Sequence, residues 1–586
     1  MQRYRRFLLI IYVNLTQVKK MEKYALGLDL GTNSCRSLIV DLNDGKELAS
    51  CVFPYPSGDN GVLVDQKDPN VARQNPQDYL ETIVVSVKEA IKQAKDKYSD
   101  FETENIIGIG VDTTGSSPMP VNKDGAPLGI LPEFKDNLDA MVWLWKDHSS
   151  HKEAVQITEL AQKKRPEYLA KIGGTYSSEW FWSKILHCKN VAPEVFKAAY
   201  SFVEFCDYIP AVLAGDTRPD SIFRSVCAAG HKAMYNENWG GLPDKEFLLS
   251  LTPDLVELRD RLYKKAVPAD RLAGHLSHEW AEKLGLKSGI AVAVGAFDAH
   301  MGAVGAGIKE GTLVKIIGTS TCDVLVWPNH KELADIPGVC GIVDGSVIPG
   351  YFGIEAGQSA VGDIFLWFVH QLVPDKYGKT VDEKFKNLEI AASKQKPGEH
   401  GLLALDWNNG NRTILVDVRL SGLLLGQTLH TQAHEIYRAL IEATAFGALT
   451  IINRIEEYGV PVRNVVNCGG LAARNPFLLQ IYADITGRPM KVSMSDQTCA
   501  LGAAIFGAVA AGKEISGFSC VEEAQEAVTE IKEVYEPNQE NNKIYQELYR
   551  LYSQMHDAFG TTVWSGTMFN VMKDLLALRE KQRKGN

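Results

Sequence analysis

The sequence predicts an α/β protein of two lobes that face each other across a cleft. One observation is length, because 586 residues exceed what a single hydrophobic core usually serves. A second is a repeat, in which an apolar strand breaks at a Gly-Thr turn and another strand follows, at Gly31-Thr32 and again at Gly318-Thr319. A third is the alternation of helical and strand patterns over residues 434–512, which is typical of a mixed or parallel sheet covered by helices. Two lobes, each with one Gly-Thr turn, account for the length, the repeat and the alternation of helices and strands.

The two turns predict a polyphosphate ligand. Each glycine lets the backbone turn sharply with no side chain in the way, so that neighbouring N–H groups and hydroxyls can face phosphate oxygens. A single Gly-Thr turn is most often an ordinary hairpin. The pair, in matching strand-turn-strand context, indicates a phosphotransferase that holds a triphosphate from both sides.

Composition favours a small-molecule partner. The chain is 45% hydrophobic and 23% charged, as in globular proteins, and its formal net charge of -10 is spread without a basic block. This pattern offers no electrostatic footprint for nucleic acid or an anionic membrane. The 10 cysteines are scattered singly with no CxxC pair, so we expect reduced thiols in a cytoplasmic protein, with no disulfide and no zinc site.

Residues 1–20 superficially resemble a signal peptide. They have a basic start and an apolar stretch over residues 7–13, but no small-x-small cleavage site follows and a strand pattern begins soon after Met21. We expect Met21 to be the true start and residues 1–20 to be a disordered or mis-assigned extension.

The predicted elements follow in order. Residues 24–50 form two strands, of which the second ends in the hairpin signal Asn43-Asp44-Gly45. A helix starts near Gln77, a strand covers residues 105–117, helices with aromatic faces fill residues 150–215, and residues 289–307 close the first lobe. The second lobe starts at the repeated turn, and the tail beyond residue 516 is polar and helical with a packing role.

Three acidic residues each end an apolar strand. Asp298, in GAFDAH, is either a catalytic base or a helix N-cap, and the sequence supports the two readings about equally. Asp29 and Asp112 lie beside hydroxyl-rich turns, where a carboxylate can hold a magnesium-bound water or stabilise the turn itself.

The segment NCGGLAARN, from Asn467 to Asn475, follows a strand and precedes a helix. Its paired glycines would let a nucleoside approach the backbone closely. The alternative is a tight loop that needs glycine only for its turn.

Taken together, these motifs resemble the FGGY family of carbohydrate kinases, members of the actin-like ATPase superfamily with two ribonuclease-H-like lobes and an interdomain active site. GLDLGTNS and IIGTST resemble the two phosphate loops, VDTTGSS and ALGAAIFGA the connecting segments, and NCGGLAARNP the adenosine loop, all in the family's order. The resemblance implies ATP and Mg²⁺ as cofactors, with Asp29 holding the metal through water. It also implies that ATP contacts Gly31, Thr32, Asn33, Arg36, Gly318, Thr319, Gly469, Gly470 and Asn475.

The segments that border the sugar site are similar to those of the ribulose-phosphorylating branch of the family. They include CAAGHKAMYNENWGGLP and GYFGIEAGQSAVGD. This resemblance implies that Asp298 is the catalytic base for phosphorylation of L-ribulose in L-arabinose breakdown. The substrate would contact Lys232, Glu355, Ser116 and Ser117. The segment TYSSEWFWSKILHCKN, with Lys184, fits the family pattern loosely.

The resemblance also implies a domain plan and partners. Residues 24–307 would form the N-terminal domain, 311–515 the C-terminal domain and 516–586 a helical extension. The partners would be a sugar and ATP, without nucleic acid or membrane, in a homodimer. Two alternatives stay open: a kinase for another ketopentose, such as D-ribulose or L-xylulose, and a non-kinase actin-like ATPase.

Overall fold

The computed structural model describes residues 22–584, which form two lobes, each built on a seven-stranded sheet. The predicted extension over residues 1–20 lies outside this range. The first lobe holds strands β1 (Tyr24–Leu30), β2 (Ser34–Asp41), β3 (Glu47–Pro54), β4 (Leu63–Val64), β5 (Ala72–Gln74), β6 (Ile106–Thr113), β7 (Pro118–Val121), β8 (Val142–Trp143), β9 (Ser201–Glu204), β10 (Leu272–His275), β11 (Ala291–Ala293) and β12 (Ala296–Phe297).

The helices of the first lobe cover the sheet and form a separate aromatic-rich core over residues 128–266. They are α1 (Pro76–Lys97), α2 (His151–Lys164), α3 (Glu167–Ala170), α4 (Phe181–Val191), α5 (Pro193–Ala198), α6 (Phe205–Ala214), α7 (Val226–Lys232), α8 (Lys245–Leu251), α9 (Pro253–Arg259), α10 (His278–Leu284) and α11 (Asp298–Gly305).

The second lobe has its own sheet and core. Its strands are β13 (Thr312–Ile317), β14 (Thr321–Pro328), β15 (Gly341–Asp344), β16 (Tyr351–Ala356), β17 (Leu403–Leu405), β18 (Leu423–Leu425), β19 (Asn464–Cys468), β20 (Met490–Ser493) and β21 (Ile531–Tyr535). Its helices are α12 (Gly362–Leu372), α13 (Val381–Ala392), α14 (Ala433–Glu457), α15 (Pro476–Thr486), α16 (Thr498–Ala510), α17 (Lys513–Ser516), α18 (Val521–Val528), α19 (Gln539–Gly560) and α20 (Val571–Lys584).

The two sheets repeat one topology around the predicted turns. In the first, β1 pairs antiparallel with β2 and parallel with β6. In the second, β13 pairs antiparallel with β14 and parallel with β19. Strand β1 is buried along its whole length, as expected of a central strand covered on both faces. The duplicated lobe predicted from the Gly-Thr repeat is therefore confirmed.

Helix α16, which follows the second-lobe strands in sequence, packs against the sheet of the first lobe. Glycines make this contact possible, because a Cβ added at Gly27 or Gly110 would lie 1.8 or 1.7 Å from a backbone oxygen of α16. At Gly502, on α16 itself, it would lie 1.8 Å from the Met301 oxygen of α11. Backbones this close leave no room for a side chain, so these glycines allow the two lobes to join.

The segment after residue 515 differs from the expected helical extension. Residues 531–535 form β21, which pairs antiparallel with β20 and completes the second sheet. Helix α19 buries Tyr545, Leu548 and Met555 in the second-lobe core. The short strand IKEVY is mostly exposed and carries two charges, so its apolar signal is weak in the sequence. This segment is an integral part of the second lobe.

Two further expectations can be compared with the structure. All 10 cysteines are free thiols, in agreement with the prediction of no disulfide. Within residues 22–584 no single helix is long and apolar enough to cross a membrane, although the bent pair Thr498–Ala510 and Lys513–Val528 has the length and composition to do so.

Candidate active site

Three carboxylates meet where strands of the first sheet end at the cleft. Asp29 lies opposite Asp112 in the parallel pairing of β1 with β6, and β12, which also pairs with β6, leads directly into Asp298. Both oxygens of Asp112 and Oδ1 of Asp29 are buried and have no hydrogen-bond partner among the described residues. Arg36 Nη1 contacts Asp29 Oδ2 at 2.7 Å. Neither side chain accepts a hydrogen bond from the backbone of its turn among the described residues, as the turn-stabilising alternative would require.

The environment raises the pKa of two of these carboxyls. Burial and then the neighbouring charge of Asp29 raise the pKa of Asp298 to about 7. Burial, then Asp29 and Asp298, raise the pKa of Asp112 well above its ordinary value. A carboxylate that titrates near neutral pH can take a proton from a hydroxyl group. Unpartnered buried carboxylate oxygens suit a divalent cation, so the residues present fit Mg²⁺.

Asp298 is the first residue of α11, and its Oδ1 accepts a bond from the N–H of Ala299 at 2.7 Å. The N-cap of this helix is Phe297 and no side chain caps it, so the N-cap alternative for Asp298 is wrong. The bond from Ala299 occupies one carboxylate oxygen, and the described residues form no hydrogen bond with Oδ2. The structure therefore leaves Asp298 able to accept a proton.

The first phosphate loop, Gly31 to Asn33, is anchored by side chains of its own lobe. Thr32 accepts two bonds, from Gln74 Nε2 to its carbonyl at 2.7 Å and from Trp145 Nε1 to its hydroxyl at 3.0 Å. Asn33 donates to the Asn60 carbonyl at 2.6 Å. These three bonds fix the position of the loop relative to its own lobe.

The second phosphate loop, Gly318 to Ser320, is anchored by backbone bonds. The N–H groups of Val361 and Gly362 at the start of α12 donate to the carbonyls of Thr319 and Gly318 at 2.8 and 3.1 Å. A Cβ added at Gly318 would have no neighbour closer than 4.0 Å. Gly318 therefore faces open space, as a loop that receives phosphate oxygens must.

Gly469 and Gly470 line a cavity of about 200 Å³ between β19 and β20. At Gly469 the backbone φ is +93°, and a Cβ would lie 2.6 Å from the Ile317 carbonyl, so glycine is required there for the turn. The cavity also shows that this turn leaves open space next to its backbone. Asn475 behaves differently from the expectation, because it is buried and its Oδ1 caps α15 through the N–H of Leu478 at 2.9 Å.

Lys232 and Glu355 bridge the lobes, and the charge of Glu355 acts on Asp298. Lys232 Nζ, at the end of α7, lies 3.1 Å from Glu355 Oε1 on β16. Burial alone would raise the pKa of Glu355, but Lys232, His231 and His300 together lower it far below its ordinary value. The pair lines a cavity of about 990 Å³, whose wall includes Trp180. The ring of Trp180 lies 5.4 Å from Lys232 Nζ. A charged pair of side chains beside an aromatic ring is an environment that suits a sugar.

The side chains of Ser116 and Ser117 are not exposed to this cavity. Both are fully buried. The Ser116 hydroxyl bonds to Glu204, and Glu204 Oε2 also accepts the Ser117 N–H at 2.8 Å. Lys184, buried beneath them, donates to the Ser116 carbonyl at 2.7 Å. The expectation of direct substrate contact by these serines does not agree with the structure, because their polar groups are already bonded within the wall.

Two features escaped the sequence reasoning. His231 and His300 lie side by side, with their Nε2 atoms 3.2 Å apart, and both approach Glu355. Arg412, from a loop of the second lobe, lines the large cavity. His231 directly precedes Lys232 in sequence and could have been noticed for that reason. Arg412 stands in NNGNRT, a turn-like segment that carries no signal of a site.

Comparisons with known proteins agree with this geometry. The N-terminal domain of the FGGY family of carbohydrate kinases matches residues 24–305, and its C-terminal domain matches residues 313–511. A curated ribulokinase from Halalkalibacterium halodurans is 42% identical over 96% of this chain and 98% of its own length. One from Vibrio parahaemolyticus is 41% identical over 91% of this chain and 95% of its own length.

Solved structures share the fold at low sequence identity. A xylulose kinase from Rhodospirillum rubrum superimposes with a TM-score of 0.74 at 21% identity, covering 92% of this chain and 99% of its own. A Plasmodium falciparum glycerol kinase with ADP does so with a TM-score of 0.72 at 15% identity, covering 93% and 99%. The expected actin-like two-lobed architecture is confirmed. The chain belongs to the FGGY family of carbohydrate kinases, and it is an ATP-dependent sugar kinase.

Proposed function

We propose that this kinase transfers the γ-phosphoryl group of MgATP to the 5-hydroxyl of L-ribulose, yielding L-ribulose 5-phosphate in L-arabinose breakdown. The observation that carries the chemistry is Asp298, whose pKa of about 7 makes it a base near neutral pH. The substrate assignment rests on relatives named ribulokinase at 41–42% identity over most of the chain. It also rests on the Lys232–Glu355 pair at the large cavity.

Asp298 removes the proton of the sugar hydroxyl as the new bond to phosphorus forms. A sugar hydroxyl is a poor nucleophile at neutral pH, so a carboxylate within hydrogen-bond reach is needed. The raised pKa means that Asp298 can hold this proton until it passes to solvent. Lys232 and Glu355 bind sugar hydroxyls and set the distance of the reacting hydroxyl from Asp298.

The two phosphate loops hold the triphosphate from opposite lobes. The N–H groups of Thr32 and Asn33 and the Thr32 hydroxyl face it from the first lobe, and the N–H group and hydroxyl of Thr319 face it from the second. Gly31 and Gly318 shape the turns, since their N–H groups donate to the Ser34 and Ser320 carbonyls at 3.0 and 2.9 Å. Their donors stabilise the charge that gathers on the phosphoryl oxygens. Arg36 neutralises Asp29 beside this site. Closure of the lobes would exclude water and prevent wasteful hydrolysis of ATP.

Asp29, through water, and Asp112 would hold Mg²⁺, because their free oxygens are buried at the end of the first sheet. The metal ion supplies neutralisation of phosphate charge. Gly469 and Gly470 receive the adenosine in the cavity beside β19. Asn475 shapes this loop by capping α15.

The remaining assignments concern organisation. We propose catalytic domains over residues 24–307 and 311–515, with residues 516–584 packed onto the second, in a cytoplasmic homodimer that binds neither nucleic acid nor membrane. The net charge of -10 and the free thiols support this assignment. Light scattering of the purified protein tests the dimer, and a monomeric mass would contradict it.

Another ketopentose is the alternative substrate, since a few contacts decide stereochemistry. Membership of a kinase family argues against the non-kinase alternative. The test is ADP release from MgATP with L-ribulose, D-ribulose, L-xylulose, D-xylulose and glycerol, against a blank without sugar. A preference for L-ribulose supports the proposal. Equal or better turnover of another sugar overturns the substrate assignment, and no sugar-stimulated release overturns the function.

A further inference from the structure

Arg412 presents an unused cation to the cavity that holds Lys232 and Glu355. Its half-buried side chain lines the same cavity of about 990 Å³. Among residues 22–584, no side chain or carbonyl accepts a hydrogen bond from its guanidinium, and no carboxylate lies within ion-pair distance. Lys232, by contrast, is bonded to Glu355. Arg412 is therefore a cation of this wall whose donors remain free, and Lys146, on the first-lobe side, is another.

The loop that carries Arg412 is fastened on both sides of it. The Thr413 hydroxyl accepts the N–H of Gly357, just beyond β16, at 2.9 Å, and the N–H of Ile414 donates to the Gly338 carbonyl at 2.9 Å. Ile414 adopts φ +89° and Val416 φ +51°, which are costly for β-branched residues. Such strain persists only where surrounding structure imposes it, and it is common at ligand-binding segments. These contacts hold Arg412 next to the strand that carries Glu355.

The charges around Arg412 keep its side chain charged, so that it can bind a neutral polar group of a ligand. Burial alone would lower its pKa, but Glu179 of the first lobe and, among other groups, Glu355 raise it, so the side chain stays charged. Glu355 is engaged by Lys232. A guanidinium has five N–H donors and no acceptor, and so it binds groups through their acceptor oxygens, of which a carbonyl oxygen carries no proton of its own to direct elsewhere.

The chemistry of the proposed substrate supplies one such group. A 2-ketopentose closes to its furanose ring through the 5-hydroxyl, which is the group that receives the phosphoryl in the function proposed above. The reacting sugar must therefore be the open-chain form, in which C2 is a free carbonyl. Every other oxygen of that sugar is a hydroxyl, which can donate as well as accept.

We propose that Arg412 is a substrate-binding residue that donates to the C2 carbonyl of the open-chain ketopentose. This inference rests on the proposed function. It gives a role to the free guanidinium that the second lobe places in the cavity, where Lys232 is already paired. It assigns to Arg412 the discrimination between a ketose and the alditol that carries a hydroxyl at C2.

The test compares L-ribulose with ribitol, its C2-reduced analogue, in wild type and in Arg412→Met. We expect kcat/KM for L-ribulose to fall by roughly 10- to 100-fold, because a hydrogen bond to a charged donor is lost. We expect a fall below about 3-fold for ribitol and an unchanged KM for ATP. Arg412→Lys should restore part of the preference for the ketose, since the charge is kept while the planar fork is lost.

Arg419→Met is the matched control. Arg419 lies in the same loop region, but its side chain is 88% exposed and pairs with Asp417 at 3.1 Å, so neither substrate should be affected. Calorimetric binding of L-ribulose and ribitol without ATP provides a second measurement that does not depend on turnover. Thermal unfolding of each variant identifies loss of fold, and if Arg412→Met is unfolded, the ratio is taken from Arg412→Lys.

The outcomes separate the two proposals. If wild type turns over no ketopentose, the proposed function and the role of Arg412 both fail. If wild type prefers L-ribulose and the variants keep the same ratio of ketose to ribitol, only the role of Arg412 fails. Equal losses on both substrates would assign Arg412 to the phosphoryl group or to the fold. A wild type without any preference for the ketose also overturns the carbonyl contact.

Discussion

The two hairpins that carry the phosphate loops have the same topology, but only the second has an ion pair whose groups are fully satisfied. In the first lobe, Asp29 on β1 lies opposite Arg36 on β2, and in the second, Lys315 on β13 lies opposite Asp323 on β14. Lys315 Nζ reaches both oxygens of Asp323, at 2.8 and 2.7 Å, and both side chains are 2% exposed or less. The second pair is therefore closed to any ligand.

The first pair is only half satisfied. Arg36 is 36% exposed and contacts one oxygen of Asp29, while Oδ1 has no partner among the described residues. The same hairpin thus supplies a structural ion pair in one lobe and an available carboxylate in the other. We infer that reactive charge is concentrated in the first lobe, whereas the second lobe contributes binding surface. The predictions below test this division.

The largest effect is expected from Asp323→Asn. This change leaves the buried ammonium of Lys315 without its charge partner, which costs about 3 to 5 kcal/mol of unfolding free energy. Thermal or urea unfolding monitored by circular dichroism measures it. Asp417→Asn, in the exposed pair with Arg419, is the control and should cost less than about 1 kcal/mol. Wild-type stability of Asp323→Asn would show that the second pair is not structural.

Asp298→Asn should lower kcat by at least ~100-fold, because the base that accepts the hydroxyl proton is lost. Sugar binding should stay close to that of wild type, since the amide keeps the size of the side chain and its bond to the Ala299 N–H. Single-turnover kinetics and calorimetry separate the two. Full activity in this variant would remove Asp298 as the base.

Asp29→Asn should raise the Mg²⁺ concentration required for half-maximal activity by roughly 10- to 100-fold, as for other groups that hold a metal through water. Stability should change much less than in Asp323→Asn, because Arg36 is partly exposed. A magnesium titration at saturating ATP measures the shift. An unchanged magnesium requirement would place the metal elsewhere.

The pH profile of kcat/KM for the sugar should have an acidic limb. The pKa of Asp298 is raised to about 7, so the carboxylate that acts as base becomes protonated as pH falls below this value. Activity then falls about tenfold per pH unit. The residual activity of Asp298→Asn should lack this limb, and a limb that persists there belongs to another group.

The smallest effect is expected from Trp145→Phe. It removes the 3.0 Å bond to the Thr32 hydroxyl and loosens the first phosphate loop. The loss of one neutral hydrogen bond should raise the KM for ATP by about 2- to 10-fold. Steady-state kinetics with varied ATP tests it. A loss of more than 100-fold would mean that Trp145 has a role beyond positioning Thr32.

Local sequence was sufficient where function depends on backbone shape. The Gly-Thr turns lie between hydrogen-bonded strands in both lobes, because glycine and hydroxyl residues bend a strand in any context. Lys232 and Glu355 were assigned through resemblance, and they do meet, although 123 positions separate them. Spacing alone could not predict that contact.

Local sequence gave wrong predictions for polar groups whose hydrogen-bond partners only the folded chain reveals. Ser116 and Ser117 resembled ligand-binding residues, but Glu204, 88 positions beyond Ser116, is bonded to both. Asn475 looked like part of a binding loop and caps a helix instead. Arg412 gave no signal, because its importance lies in the absence of a protein partner within the described chain, a property of the assembled cleft.

The sequence by itself determined the two-lobed α/β architecture, the paired phosphate loops and the family, since these depend on hydrophobic periodicity and on glycines that adopt backbone conformations closed to other residues. The tertiary structure alone decided which charges are satisfied. It left oxygens of Asp29 and Asp112 without partners, enclosed Lys315 with Asp323 and directed Arg412 into the cavity. The physical reason is that desolvation and pairing depend on neighbours from distant parts of the chain, and those neighbours meet only in the folded protein.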